Sequence, residues 1–444
     1  MSIIRRRHAT LAALALAGLM AGRAASAAED PAPETWAVHA QATDIFQAYG
    51  PFRSPYVGPQ SYRPGPIRGN TVDATLYAGV RPWAGAELWG NLEMYQGYAP
   101  SNTLGSAGYV NGDGAKLGRA HFYSRIPRLF LRQTFTLGAD SEAQEGQANQ
   151  LAGPRPKDRV VITVGKYNVT DIFDANTYAH DPRKDFMNWS AVDAGSFDYA
   201  ADAWGYTYGA AVELYRGDWT WRAGYFDLSV LPNTAELTHD LSQFQLVGEI
   251  ERRTNFLSRP GAVRLTGFLT RGRQARYDDA TAIGLAAGRP ANVADARRYS
   301  SRPGVSLNLE QEVADGVGVF ARAGLDDGRY ESYEFTDIDQ TLETGVSVKG
   351  ARWGRKDDVL ALALVENQVS AAAHRYLNAG GLGILVGDGK LPHPGNEKIL
   401  EAYYSLALPA GAALTLDDQL VDHPAYNRDR GPVNVVGLRL HVER

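Results

Sequence analysis

Apolar and polar positions alternate along most of this chain. Between Arg159 and Asn168, Val160, Ile162 and Val164 alternate with Val161, Thr163 and Gly165. That pattern predicts a β-strand with one greasy face and one mixed face. Val72, Ala74, Leu76, Ala78 and Val80 likewise oppose Asp73, Thr75 and Tyr77. Leu88, Leu92 and Met94 oppose Glu87, Trp89, Asn91 and Glu93. Leu129, Leu131, Phe135 and Leu137 oppose Arg128, Phe130, Arg132 and Thr134. Sixteen such strands are predicted, at 36–49, 72–81, 84–95, 126–138, 159–168, 202–215, 218–227 and 241–252, then 261–272, 303–313, 316–326, 341–350, 357–367, 396–408, 411–423 and 433–442.

The connections carry a second rhythm. Short links follow the second, sixth, eighth, tenth, twelfth and fourteenth strands. Long ones follow the first, third, fifth, seventh, ninth, eleventh and thirteenth. Short and long ends that alternate in this way describe a barrel, and an even strand count puts both termini at the short-turn end. Two links break the rhythm: the polar one after the fourth strand, and the modest external one after the fifteenth. The most informative connection is the polar and aromatic segment 169–201, which is too long for an ordinary loop. Its Asp, Phe, Tyr and Trp content argues for an ordered element that folds back into the lumen and narrows it.

The first 27 residues stand outside this pattern. Arg5, Arg6 and Arg7 precede an apolar stretch from Leu11 to Met20, and Ala25-Ser26-Ala27 fits a small-residue cleavage site. These features predict a secretory signal peptide and a single domain over 28–444. The formal net charge is −5, and removing the leader's four arginines makes the remainder more acidic. Acidity disfavours nucleic acid as a partner. With no cysteine there is no disulfide framework or thiol chemistry. Beyond the leader, no apolar run approaches the length of a membrane helix. The chain is therefore all-β, and composition alone leaves a soluble protein and an outer-membrane barrel both open.

The faces favour the barrel. The mixed faces combine arginine, glutamate and aromatic groups, as a wetted channel requires. Trp204, Tyr206, Trp219, Trp221 and Tyr404 near strand ends fit interfacial girdles. One position resists: Asp418 shares a face with Leu414, Leu416 and Leu420. A carboxylate facing lipid is costly, so it implies either a subunit contact or a bulge.

Several blocks, in order, resemble the carbohydrate-selective porins of the OprB family. They include Thr170-Asp171-Ile172-Phe173-Asp174, Tyr178-Ala179-His180-Asp181-Pro182-Arg183, Asn188-Trp189 and Asp198-Tyr199-Ala200-Ala201-Asp202. Further along come Gly205-Tyr206-Thr207-Tyr208-Gly209, Leu307-Asn308-Leu309-Glu310-Gln311-Glu312, Val319-Phe320-Ala321-Arg322, Gly380-Gly381, Gly387-Asp388-Gly389, and the run from Pro424 to Pro432. The resemblance spans nearly all of the chain after the leader. It implies a sixteen-stranded outer-membrane barrel for passive uptake of small carbohydrates such as glucose, often assembled as a homotrimer. The chain departs from barrel habit in finishing on Arg444 and not an aromatic residue. Recognition by the insertion machinery would then rest on Leu438, Leu440 and Val442.

A diffusion channel needs no catalytic group. It needs a constriction whose surface replaces water around the solute while holding it weakly. By strand parity the inward arginines are Arg128, Arg132, Arg222, Arg264, Arg322 and Arg439. The inward acids include Glu87, Glu93, Glu249, Glu310 and Glu401. The expected sugar contacts are Glu93, Arg128, Arg132, Glu310 and Arg322, which lie within strands. In the long loop, Tyr178, Phe186 and Trp189 are candidate stacking surfaces, while Asp171, Asp174, Asp181 and Arg183 are candidate latches. Nothing points to a cofactor. Gly387-Asp388-Gly389-Lys390 lacks the residue that completes a phosphate loop. The histidines show no metal-binding spacing, and Asn111 with Asp113 reads better as a glycine turn than as a calcium site. The other readings are a general or anion-leaning pore, a barrel hydrolase working at the rim, and a soluble glycan-binding β-protein.

Overall fold

The computed structural model describes residues 32–114 and 118–444. The predicted leader lies outside the described residues. The wall begins with β1 (Trp36–Tyr49), β2 (Ile67–Val80) and β3 (Ala86–Tyr98). Next come β4 (Arg119–Arg125) and β5 (Leu129–Thr136), a small hairpin of β6 (Ser141–Gln144) and β7 (Gly153–Pro156), and β8 (Arg159–Tyr167). It continues through β9 (Thr207–Arg216), β10 (Trp219–Asp227), β11 (Phe244–Phe256), β12 (Arg259–Gln274), β13 (Arg298–Ala314) and β14 (Val317–Asp326). The last strands are β15 (Gln340–Lys349), β16 (Val359–Gln368), β17 (Glu397–Leu408), β18 (Ala412–Asp422) and β19 (Val433–Glu443).

Both β4 and β5 pair with β3, through Glu93↔Arg125 and Glu87↔Arg132, so together they form one stave. The break between them holds Pro127, which has no N–H to give the ladder. β1 pairs with β19, and the sheet closes as a sixteen-stranded antiparallel barrel.

Period-two alternation survives in three dimensions. Leu76, Leu92, Leu364 and Leu416 point outward, while Asp73, Thr75, Glu93 and Asn308 are buried inside. Outside lies lipid, so the apolar face is the outer one. Several strand limits differ from the sequence reading. β2 starts at Ile67, five residues early, and β13 at Arg298. Arg119–Arg125, expected as loop, is strand. The strand expected from Asp202 starts only at Thr207, because Asp202 Oδ1 accepts the N–H groups of Trp204 and Tyr206 at 2.9 and 3.2 Å and folds a turn. Tyr206 is consequently buried within the barrel and not in a girdle. Trp219 and Trp221 do face outward, stacked with centroids 6.0 Å apart.

Asp418 points outward too, on a strand whose pairing to both neighbours is regular, so the bulge explanation fails. Asn434 Nδ2 donates to its Oδ1 at 2.8 Å. On the adjoining strands Asn70 Nδ2 donates to outward-facing Asp44 at 2.5 Å.

Tight turns close the end that holds Trp36 and Arg444. Between β9 and β10 the turn needs Gly217, whose φ is +58°. The exception is the segment 137–158, which carries β6 and β7 and tucks into the mouth of the lumen. There Leu151 N–H donates to Glu87 at 3.2 Å, Ala152 N–H to Glu34 at 2.8 Å, and Arg132 Nη1 to the Asn149 carbonyl at 2.9 Å. At the opposite end the long connections fold inward. Two short helices, α1 (Tyr277–Ala286) and α2 (Ala371–Asn378), pack there through Tyr277 and Tyr376, with ring centroids 5.0 Å apart.

Candidate functional site

The segment between β8 and β9 enters the lumen and stays there. Its first turn is capped by Asn168, whose Oδ1 accepts Thr170 N–H at 2.9 Å, while Asp171 returns the bond to Asn168 N–H at 3.0 Å. A loop buried this deeply has to satisfy its backbone groups, and the barrel wall supplies the partners. Glu249 accepts Asp174 N–H at 2.8 Å, Glu310 accepts Thr177 N–H at 2.6 Å, and Glu401 accepts Met187 N–H at 2.5 Å. Arg322 donates to the Ala179 carbonyl at 2.6 Å, and Arg439 to those of Pro182, Lys184 and Asp185 at 2.6–2.8 Å.

Glu310 and Arg322 therefore hold the loop, where the sequence reading had them touching solute. Arg322 is fully buried between Asp174 at 3.4 Å and Glu343 at 3.2 Å. Asp174 also accepts Ala194 N–H at 2.8 Å. Phe186 is no stacking surface. It is wholly buried, 5.7 Å from Phe320 and 5.0 Å from Tyr403 between ring centroids. Tyr178 packs on the wall, its ring filling the space above Gly318.

Because the loop leans on the β11–β19 arc, the passage runs along the β3–β10 arc. There a cavity of about 810 Å³ is lined by Arg125, Arg128, Arg132, Arg183, Tyr77, Tyr206, Asp113 and Asp171, among others. Each guanidinium is fixed. Arg128 makes two bonds to Asp171, at 2.7 and 2.6 Å, and lies 5.0 Å over the Tyr206 ring. Arg183 reaches Asp113 at 2.7 Å, Asp73 at 3.1 Å and Glu93 at 3.2 Å. Arg125 pairs with Glu93 and sits 5.2 Å over the same Tyr206 ring. Arg132 lies 3.6 Å from Glu87. Glu93 is fully buried behind these arginines and orients two of them.

Arg128 and Arg132 line this cavity. Asp171 and Arg183, read in the sequence as latches, line it as well. Toward the loop, Tyr109 stacks on Trp189 at 5.3 Å and 9°, and Phe335 does so at 4.6 Å and 20°. Nearby, burial pushes the Asp193 carboxyl up to about 6, with His180 opposing the shift. Burial also works against ionisation of Asp181, but Lys184 and Arg183 overcome it and hold the carboxyl below its ordinary range.

Sequence reasoning missed Arg125, Tyr206, Tyr109 and Asp113 as lining groups. The alternation of Ala120, Phe122 and Ser124 across from Tyr123 and Arg125 was a weak signal for the first. Tyr109 and Asp113 come from a glycine-rich connection that shows no period at all. Asn111, read as part of a turn, does close one by accepting Gly114 N–H at 2.6 Å.

The passage pairs fixed donors with fixed acceptors and sets aromatic rings among them. That surface can exchange bonds with an uncharged, hydroxyl-rich solute. The family description "Carbohydrate-selective porin, OprB family" matches residues 69–443. The chain belongs to the OprB family. This OprB-family porin is an outer-membrane barrel for sugar diffusion, and its architecture is that of a channel. The high-pH structure of Pseudomonas putida OprB aligns with a TM-score of 0.69 at 14% identity, covering 92% of this chain and 94% of that one. The low-pH structure of the same protein gives 0.51 at 11%, with 92% and 93% covered. The outer-membrane channel DcaP of Acinetobacter baumannii gives 0.51 at 10%, with 92% and 97% covered. At such identities the likeness speaks for the fold. Among curated proteins none matches this OprB-family chain in sequence.

Proposed function

We propose that this porin passes monosaccharides of glucose type into the periplasm by weak, hydroxyl-directed contact with the rows formed by Arg125, Arg128, Arg132 and Arg183. The observation that carries this reading is the pairing of every one of those arginines with a carboxylate. Paired guanidiniums keep free N–H groups for hydroxyls but present little net charge, which suits a neutral solute better than an anion. Sites Arg128, Arg132 and Asp171 touch the solute, and Glu93 sets the angle of Arg125 and Arg183. The protein acts without chemical conversion of its solute and without a cofactor.

Sugar flux into liposomes carrying the purified protein tests the reading, with glucose compared against an equal-sized uncharged non-sugar. Faster glucose entry supports a sugar-preferring constriction. Equal rates would replace it with a general pore, and a strong chloride preference in reversal-potential measurements with an anion-leaning one. The outward polar pairs Asp44–Asn70 and Asp418–Asn434 lie on the four consecutive strands β18, β19, β1 and β2. We infer that subunits of a homotrimer meet at this patch, where lipid would leave the carboxylates poorly solvated. The mass of the protein in detergent, before and after Asp418→Leu, checks that assembly.

A further inference from the structure

Two arginines face outward at one rim of the barrel with no carboxylate to meet them. Along β12 the outward positions run Val263, Leu265, Gly267, Leu269, Arg271 and Arg273. The series turns from apolar to cationic toward the long connections, which mark the outer end of such a barrel. Arg271 Nη1 donates to Ser301 Oγ at 3.4 Å, and Arg273 lies 5.3 Å over the ring of Tyr299. Neither guanidinium forms an ion pair among the described residues, and both are exposed. The acids close by are engaged elsewhere: Asp279 takes Arg298 at 2.8 Å, and Asp240 accepts Ser242 N–H at 3.0 Å. Other outward cations at this end are answered. Lys166 lies 3.1 Å from Asp202, and Lys398 stands opposite Glu366 and Asp422.

Strand register gives their height. Arg271 pairs across to Phe244 on β11, whose ring stacks on Tyr225 at 5.2 Å and 27°. Outward aromatic rings collect where hydrocarbon gives way to head groups. Arg273 is the next outward position beyond that level. On the other side Tyr299 and Ser301 of β13 pair with Arg273 and Arg271. Below, Leu269 and Leu265 continue into the apolar band, and between them Gly267 leaves open space above the backbone. The patch also lies across the barrel from the outward polar pairs on β18, β19, β1 and β2, so it stays turned to lipid when subunits meet there. A guanidinium at a lipid boundary needs a counter-charge, and its planar fork matches phosphate with two parallel N–H bonds. The Tyr299 and Ser301 hydroxyls add donors of their own. The occupant this arrangement fits is therefore an anionic lipid whose charge is carried by phosphate.

We propose that Arg271, Arg273, Tyr299 and Ser301 form a binding site for the head group of a phosphate-bearing lipid in the outer leaflet, with its acyl chains laid against Leu269, Gly267 and Leu265. The site is on the outer wall and is independent of what passes through the lumen.

The test is native mass spectrometry of the whole protein in detergent, titrated with bisphosphorylated lipid A. The native protein should retain the lipid. Arg271→Gln and Arg273→Gln should each raise its apparent dissociation constant about ten-fold, the size of one charge-assisted hydrogen bond, and the double variant about a hundred-fold. Arg68→Gln, which removes another outward arginine of the same rim, should leave retention as it is. Dephosphorylated lipid A should bind the native protein as weakly as the phosphorylated lipid binds the double variant. Equal retention by native protein and folded double variant, or of the two lipids by the native protein, would overturn the head-group site. Displacement of the lipid by millimolar inorganic phosphate would overturn the lipid assignment and leave a site for free anions. Heat-modifiable migration on a gel verifies folding. The substituted side chains project outward from the wall, so the variants should keep their solute flux.

Discussion

At the scale of single residues, strand parity told which side chains point inward but not what they meet there. Arg128 and Arg322 are both inward, mid-strand arginines. One lines the passage, and the other is buried beneath the loop with Asp174 and Glu343. Their chemistry differs accordingly. Asp171→Asn should release Arg128 from its two-point partner and leave a free positive charge on the passage. A unit charge at roughly 8 Å in water is worth about 0.5 kcal/mol, so chloride-over-potassium permeability should rise about two-fold in reversal-potential measurements. Arg322→Met strands two buried carboxylates. Breaking one side of a buried ion pair costs about 3–5 kcal/mol, and the variant should lose heat resistance and expose the loop to protease. The sequence could not separate the two roles, because the angular position of the loop within the barrel is set by long-range contacts. No local period in the strands records it.

At the scale of elements, the long inward loop was legible because its composition clashed with its length. The second inward segment, 137–158, was visible only as a break in the turn rhythm. Its backbone bonds to Glu87, Glu34 and Arg132 place it across the short-turn end of the passage. Replacing residues 141–156 with a two-residue turn should raise single-channel conductance and weaken discrimination by solute size, both read in planar bilayers. The outer loops have their own sensitivity. Burial raises the Asp337 carboxyl to about 7, Asp339 adds to the shift, and the N–H groups of Ile384 and Leu385 oppose it. The folded cluster thus holds a proton that an unfolded chain would release near 3.8. Its stabilising effect is full below that value and is lost as pH rises through about 7. Hydrogen-exchange protection factors across residues 369–391, corrected for the base-catalysed intrinsic rate, should be lower at pH 8 than at pH 5, and Asp337→Asn should abolish that difference.

At the scale of the whole molecule, the sequence carried the barrel almost entire. Lipid outside and water inside impose period two on every stave, and even Asp418 announced itself by violating it. What stayed hidden was the division of the lumen into a holding arc and a conducting arc. That division has a mechanical meaning. The narrowing loop is tied by Glu249, Glu310, Arg322, Glu401 and Arg439, which belong to five different staves. Shifting it means breaking charged bonds around nearly half the circumference at once. The pore is then a rigid orifice and not a valve. Its open current should run level at either polarity, without the flicker of a lid hinged at one edge.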